Sequence, residues 1–256
     1  MLKFNNNNLF GGGAGLLSSP DNSFRVIVKY FAFTLAEVLI TLGIIGIVAA
    51  MTLPAIIQKH RNQVVEAKLK KFYTTMNQAV RMAEVEYGDM RYWWEDLSGA
   101  TFEEGKPVPG SSEAEKWFNK YLGKHLKIVR QEILAASGSF IVYFADGGAL
   151  KQMNSGTTRD WVYYPNPNKC EINLTAINRK GVIGTCGFSF QFKPDANSGT
   201  FKRIYQKGFE PWVYNWDGKE ETLKDGCYSG SDLNFCTEII RANNWTVPKD
   251  YPYKVH

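Results

Sequence analysis

Hydrophobic residues are concentrated in one long run near the start of the chain. Residues 33–57 form 25 consecutive positions with a single charge, Glu37. A helix of that length rises about 38 Å at 1.5 Å per residue, more than the roughly 30 Å thickness of the hydrocarbon core of a bilayer. The run therefore predicts a helix that can cross a membrane.

The helical pattern continues beyond this run, through residues 58–88. Apolar residues recur there at intervals of three and four, the spacing of one face of an α-helix. Gly88 and Asp89 end the pattern. This amphipathic half needs a partner that covers its apolar stripe, and the domain that follows is the obvious one. The stripe consists of Val65, Leu69, Phe72, Met76, Val80, Ala83 and Tyr87.

The segments on either side of the long helix differ in composition. Residues 1–32 are rich in Asn, Gly and Ser, which predicts a tail without a core. Residues 89–256 mix short helical and strand patterns with Pro and Gly turns. They predict an α+β domain with a small antiparallel sheet packed on the long helix. The predicted strands are 139–145, 161–164 and 187–192, and the predicted short helices are 112–128 and 236–243.

The net charge adds little to this picture. The chain carries a formal charge of +5. Lys3, Arg25 and Lys29 oppose only Asp21 in residues 1–32, so the remainder keeps 5 − 2 = +3. An excess this small is typical of a mixed-charge surface and does not favour a nucleic-acid partner.

Four cysteines, Cys170, Cys186, Cys227 and Cys236, lie in the C-terminal third. They form no Cys-x-x-Cys and no histidine lies among them, so no metal site or cofactor is predicted. An even number in a part placed outside the membrane predicts two disulfides. Three pairings are possible, of which Cys170–Cys186 and Cys227–Cys236 are favoured because they close short loops. Four buried thiols are the alternative.

Residues 32–37, Ala-Phe-Thr-Leu-Ala-Glu, resemble the processing site of type IV prepilins and of the pseudopilins of type II secretion. The resemblance implies that residues 1–32 are a leader. It further implies that a prepilin peptidase cleaves between Ala32 and Phe33 and methylates the new amino terminus of Phe33. The family usually has Gly at the position of Ala32.

Three further positions match the same family. Glu37 is the fifth residue after the cut, where the family carries its signature glutamate; Gly46 is the fourteenth and Pro54 the twenty-second. The resemblance implies that Glu37 pairs with the amino terminus of Phe33 on a neighbouring subunit during assembly. It also likens the loop from Cys227 to Cys236 to the disulfide-closed terminal loop of many pilins.

The chemistry of these residue types predicts how Glu37 and Pro54 behave in a membrane helix, independently of the resemblance. A carboxylate in an apolar membrane helix costs about 3 kcal/mol unless it lies near the interface or is paired. Glu37 is about 6 Å along the helix from Phe33, close to the headgroups of a bilayer. Pro54 lacks an amide hydrogen, which predicts a kink or local melting, and with Gly43 and Gly46 it makes this stretch the softest part of the helix.

Two kinds of evidence disagree on the orientation of the predicted span in the membrane. Only Arg25 and Lys29 closely precede it, so the positive-inside rule favours a cytoplasmic C-terminal domain. The processing motif and the downstream cysteines favour the opposite orientation, with residues 89–256 outside the cytoplasm. The cations that follow the span are Lys59, Arg61, Lys68, Lys70 and Lys71.

The predicted function is a structural subunit of a type IV pilus or a type II secretion pseudopilus. Such a subunit is stored in inner-membrane lipid through residues 33–57 and polymerises with other pilin or pseudopilin subunits. The alternatives are a membrane-anchored binding module that does not polymerise, or a minor pilin whose aromatic residues near Lys202, Arg203 and Lys207 stack on single-stranded DNA.

Catalysis is not predicted. The chain contains no Gly-x-Ser-x-Gly nucleophile motif and no Gly-rich phosphate-binding loop. Histidines are scarce, and His125 is predicted to be a surface residue rather than a general base. The residue pattern therefore favours a structural protein over an enzyme.

Overall fold

The structure, a computed structural model, describes residues 33–93, 97–153, 156–172, 179–195 and 207–256. The predicted leader, residues 1–32 with Ala32, lies outside the described residues, as do Lys202 and Arg203. Contacts within the chain define two compact units, residues 1–48 and residues 49–256.

The first helix, α1, extends from Leu35 to Tyr87. Its amphipathic half buries most of the predicted stripe, because these side chains pack on the sheet. Tyr87 is the exception: it is exposed at the end of the helix, where its ring meets the edge of Tyr121. Gly88 follows with φ +79°, a left-handed conformation that commonly ends helices. The buried members of the stripe are Val65, Leu69, Phe72, Met76, Val80 and Ala83.

A six-stranded antiparallel sheet forms the centre of the unit that comprises residues 49–256. Strands adjacent in the sheet are adjacent in sequence, so the sheet is a meander. A separate two-stranded hairpin of β1, Phe102–Glu103, and β2, Lys106–Pro107, precedes it. The strands are β3 Ile128–Ile133, β4 Phe140–Phe144, β5 Ala149–Gln152, β6 Asp160–Tyr164, β7 Phe188–Phe192 and β8 Phe209–Pro211.

Three short helices accompany the sheet: α2 Glu113–Tyr121, α3 Glu220–Ser229 and α4 Cys236–Ala242. Ser112 caps α2, because its hydroxyl oxygen accepts a hydrogen bond from the N–H of Glu115 at 3.2 Å. The predicted extent of 112–128 is wrong. A 3₁₀ turn at Gly123–His125 ends the helical stretch, and the chain then enters β3.

Both faces of the sheet are buried. On one face Phe72 of α1 stacks on Tyr163 of β6, with ring centroids 4.0 Å apart. On the other face Val162 and Tyr164 of the same strand lie in a second cluster with Leu223 of α3. The α+β class, the long apolar helix and the antiparallel sheet are confirmed, and the layer on the second face is an addition to the prediction.

Two disulfides belong to this second layer. Cys170 is bonded to Cys186, and Cys227 is bonded to Cys236. These are the two pairs favoured by proximity in the sequence, and the alternative of four buried thiols is wrong. Cys227 and Cys236 are completely buried and join α3 to α4.

Candidate functional site

The first turn of α1 joins Thr34 and Glu37 by hydrogen bonds. Oε2 of Glu37 accepts from the backbone N–H of Thr34 at 2.8 Å and from the Thr34 hydroxyl at 2.7 Å. Oγ1 of Thr34 in turn accepts from the N–H of Glu37 at 3.2 Å. This reciprocal arrangement is a capping box, which satisfies backbone donors that a helix start leaves without a partner.

Thr34 is not among the predicted site residues, although the sequence contains its signal. A Thr or Ser followed three residues later by Glu, just before an apolar run, is the pattern of a capping box. Both bonds from Thr34 end on Oε2 of Glu37. Within the described part of the chain Oε1 receives no hydrogen bond, so one carboxylate oxygen is open to a donor from outside the chain.

The apolar side chains that follow Glu37 are exposed. Among the described residues, one helix, Leu35–Tyr87, is long and apolar enough to cross a membrane. Covering a large apolar side chain contributes about 1.5–3 kcal/mol, so a surface of this kind is stable in lipid or against other apolar surfaces. The exposed side chains include Leu39, Ile40, Leu42, Ile44, Ile45, Ile47 and Ile56.

Gly43, Gly46 and Pro54 lie inside α1, which continues unbroken through all three. A Cβ atom added to Gly43 or Gly46 would meet no heavy atom within 4 Å. Packing within the described chain therefore does not require glycine at either position. Pro54 removes one backbone donor from the helix ladder. Unwinding of this segment during assembly stays a prediction about the filament state.

The amphipathic half of α1 is fastened to the edge strand β8 by Asn77. Its Nδ2 donates to the carbonyl oxygen of Phe209 at 2.8 Å, and the N–H of Phe209 donates to its Oδ1 at 2.9 Å. Gly208 precedes with φ +113°, and a Cβ there would collide with Asn77. One helix side chain thus occupies both backbone groups of a residue on the sheet edge.

A buried carboxyl group lies beside this contact. Glu210 is 2% exposed, and its Oε1 accepts a hydrogen bond from the Tyr73 hydroxyl at 2.8 Å. Burial raises the pKa of Glu210 to about 7, against a smaller lowering by the Tyr73 hydrogen bond and by Arg241 and Lys207. The pKa of the Tyr73 hydroxyl is raised by its own burial and by Glu210. This pair joins α1 to β8, and its carboxyl group, that of Glu210, titrates near neutral pH.

A groove of about 420 Å³ lies between α1 and the turn after β4. The Tyr163 hydroxyl and Nε2 of His125 are buried there without a hydrogen-bond partner among the described residues. His125 is partly exposed at this groove. Burial, followed by the charge of Lys124, lowers the pKa of His125. The described residues contain no group of three His, Cys, Asp or Glu side chains that could hold a metal ion.

The predicted site residues fall into separate parts of the chain. Phe33 and Glu37 lie within one turn of each other at the start of α1, and Phe33 is 82% exposed. The four cysteines lie in the second compact unit, residues 49–256. The segment that combines a carboxylate, a capping residue and an exposed apolar surface is therefore residues 33–57.

Comparison with known proteins gives one match. The model of a family of unknown function, DUF6613, matches residues 55–255. The matched region comprises the amphipathic half of α1, the sheet and the disulfides. It begins after Phe33, Glu37 and Pro54. No curated protein and no solved structure matches the chain.

Proposed function

We propose that this chain, which belongs to the family of unknown function DUF6613, is a structural subunit of a type IV pilus or of a type II secretion pseudopilus. The proposal rests on one observation: a single carboxylate, Glu37, lies in the first turn of an exposed apolar helix segment. The position of Glu37 five residues after the Ala32–Phe33 bond matches the pilin processing pattern.

The geometry of Glu37 supports a role in pairing between subunits. Thr34 occupies Oε2, so the carboxylate is partly satisfied while the subunit is alone in the membrane. The amino terminus that a prepilin peptidase creates at Phe33 is a cation. In a filament core that cation and Oε1 of Glu37 on a neighbouring subunit satisfy each other, and both need a partner once lipid headgroups are gone.

The exposed apolar surface supports storage in the inner membrane before assembly. The same side chains that face lipid in the stored subunit pack against the helices of neighbouring subunits in the filament. Gly43 and Gly46 have no packing role within the described chain. They let neighbouring backbones approach closely in that bundle. The disulfides support an oxidising compartment for residues 89–256.

Replacement of Glu37 tests the proposal. In Glu37→Ala the amino terminus of Phe33 has no buried partner, so we expect normal membrane insertion and at least about a 100-fold loss of filaments. The measurement is an immunoblot of sheared filaments and of membranes. Mass spectrometry of the mature protein is expected to place its first residue at Phe33.

The matched control is Glu221→Ala, which removes an exposed carboxylate of α3 and leaves filament yield unchanged. Filaments of Glu37→Ala at wild-type yield would contradict the pairing. A mature protein that begins elsewhere than Phe33 would contradict the processing. A wild-type chain that inserts and never polymerises would instead identify a membrane-anchored binding module.

A further inference from the structure

Positive side chains begin directly after the apolar half of α1. Lys59 and Arg61 are the first charges beyond Ile57, and Arg61 is about 6 Å along the helix from Ile57. The headgroup layer on each side of a bilayer is about 5–8 Å thick. A helix whose apolar run ends at the hydrocarbon boundary therefore carries Arg61 into the headgroup layer.

Arg61 lines a groove of about 500 Å³ between α1 and the segment that follows β6. Lys68 of α1 and Lys169 of the 3₁₀ turn Pro167–Lys169 supply two more cations. We call this the basic groove. Its other lining residues are His60, Val64, Val65, Pro165, Asn166 and His256.

The lining of the basic groove carries a net positive charge. No acidic side chain is among its lining residues. Arg61, Lys68 and Lys169 together give the lining a formal charge of +3. Asp146, which lies outside that lining, interacts electrostatically with Lys68. In the described part of the chain the side chains of Arg61 and Lys169 make no ion pair and no hydrogen bond. The Nζ of Lys68 donates to the carbonyl oxygen of Pro165 at 2.6 Å.

We propose that the basic groove binds the phosphate of an anionic phospholipid on the extracytoplasmic face of the membrane. The guanidinium of Arg61 matches a phosphate bidentately, and Lys169 adds a point charge. Val64 and Pro165 give the groove an apolar wall that suits the glycerol end of a lipid. The inference rests on the proposed membrane anchoring and extends it by naming the lipid class.

This site accounts for a feature of the sequence that the pilin resemblance leaves unexplained. The cations that follow the span oppose the usual positive-inside distribution. A binding site for lipid phosphate would give some of these cations a local function. The small volume of the groove and its place one turn after the apolar run favour a lipid headgroup over a nucleic acid, which needs an extended basic surface.

Native mass spectrometry of the full chain in detergent, titrated with phosphatidylglycerol or with phosphatidylcholine, tests the inference. We expect phosphatidylglycerol to be retained in preference. A basic residue near an anionic surface contributes about a factor of five in affinity, so Arg61→Gln with Lys169→Gln is expected to weaken binding about 25-fold. Lys219→Gln with Lys224→Gln removes the same charge elsewhere on the surface and is the matched control, with no change expected.

Equal retention of the two lipids would overturn the inference, as would an equal loss in the control. Displacement by millimolar inorganic phosphate would identify a site for free anions, and stronger binding of oligothymidylate would identify a nucleic-acid surface; either result overturns the lipid assignment. Glu37→Ala is expected to keep the preference for phosphatidylglycerol while losing filaments. Failure of the headgroup site and failure of the assembly proposal are thereby distinguishable.

Discussion

Glu37 and Glu210 show two settings in which this chain places a carboxyl group beside apolar side chains. Glu37 lies in an apolar helix and accepts two hydrogen bonds from Thr34. Glu210 is buried beside Tyr73 and gains a raised pKa. Among the described residues Oε1 of Glu37 has no hydrogen-bond donor, so this oxygen is open to a partner from outside the chain. Glu210 is enclosed by its own fold, so its effect is on stability.

The free energy of unfolding is expected to depend on pH through Glu210. Its pKa is about 7 in the folded chain, against the ordinary 4.5, so the folded state binds the proton more tightly. This contribution is fully present below pH 4.5 and is lost as the pH rises through 7. The 2.5-unit difference corresponds to about 3 kcal/mol.

Glu210→Gln cannot ionise and keeps an oxygen that accepts from Tyr73. We expect this variant to lose most of the decline in stability between pH 5 and 8, as measured by urea unfolding at several pH values. Glu221→Gln, at an exposed carboxylate, is the control and follows the wild-type profile. An unchanged pH profile in Glu210→Gln would show that Glu210 ionises normally in the folded chain.

At the scale of elements, the contact between α1 and β8 determines how the long helix is held. An edge strand exposes unpaired backbone groups, and Asn77 occupies both groups of Phe209. Phe72 adds a stacked contact to Tyr163 in the middle of the sheet. The helix is thus attached to an edge strand by hydrogen bonds and to a central strand by aromatic packing.

Asn77→Ala is expected to lower the free energy of unfolding by about 2–6 kcal/mol. The substitution leaves the buried N–H and C=O of Phe209 without partners, and each unpaired group costs about 1–3 kcal/mol. Chemical denaturation measures the change. Gln63→Ala, at an exposed position on the same helix, is the control and should stay within about 0.5 kcal/mol of wild type. Equal effects of the two variants would refute the role of Asn77.

At the scale of the molecule, the second face of the sheet is closed by a layer that includes both disulfides. Cys227–Cys236 joins the two C-terminal helices α3 and α4. Val162 and Tyr164 of β6 lie in the same buried cluster. The domain therefore has two cores, one against the long helix and one under the cross-linked helices.

Removal of the Cys227–Cys236 disulfide is expected to destabilise the folded domain by about 2–3 kcal/mol. The bond closes a loop with a sequence separation of 9, and loop-closure entropy in the unfolded chain gives this magnitude. The measurement is thermal unfolding of Cys227→Ser with Cys236→Ser under oxidising conditions. A reductant should also bring the wild type toward the stability of the variant. Because a reductant breaks both disulfides, Cys170→Ser with Cys186→Ser is measured alongside to separate the contributions of the two bonds.

The sequence alone determined the helices and strands that have a clear periodicity of apolar residues. The apolar run, the stripe from Val65 to Ala83 and the strands of alternating residues near Phe140 and Phe188 were predictable because helix and strand periodicity is written in consecutive residues. The capping box at Thr34 was equally readable from its Thr-x-x-Glu spacing. Proximity in sequence also favoured the observed disulfide pairs.

Tertiary structure alone decided which distant groups meet. Strands β3, β5 and β8 are short or weakly patterned, and they become strands because neighbours in the sheet pair with them. Three features depend on residues that are far apart in the chain. They are the contact of Asn77 with Phe209, the burial that raises the pKa of Glu210, and the basic groove. Burial and hydrogen bonding between such residues depend on chain packing, which no periodicity along the sequence encodes.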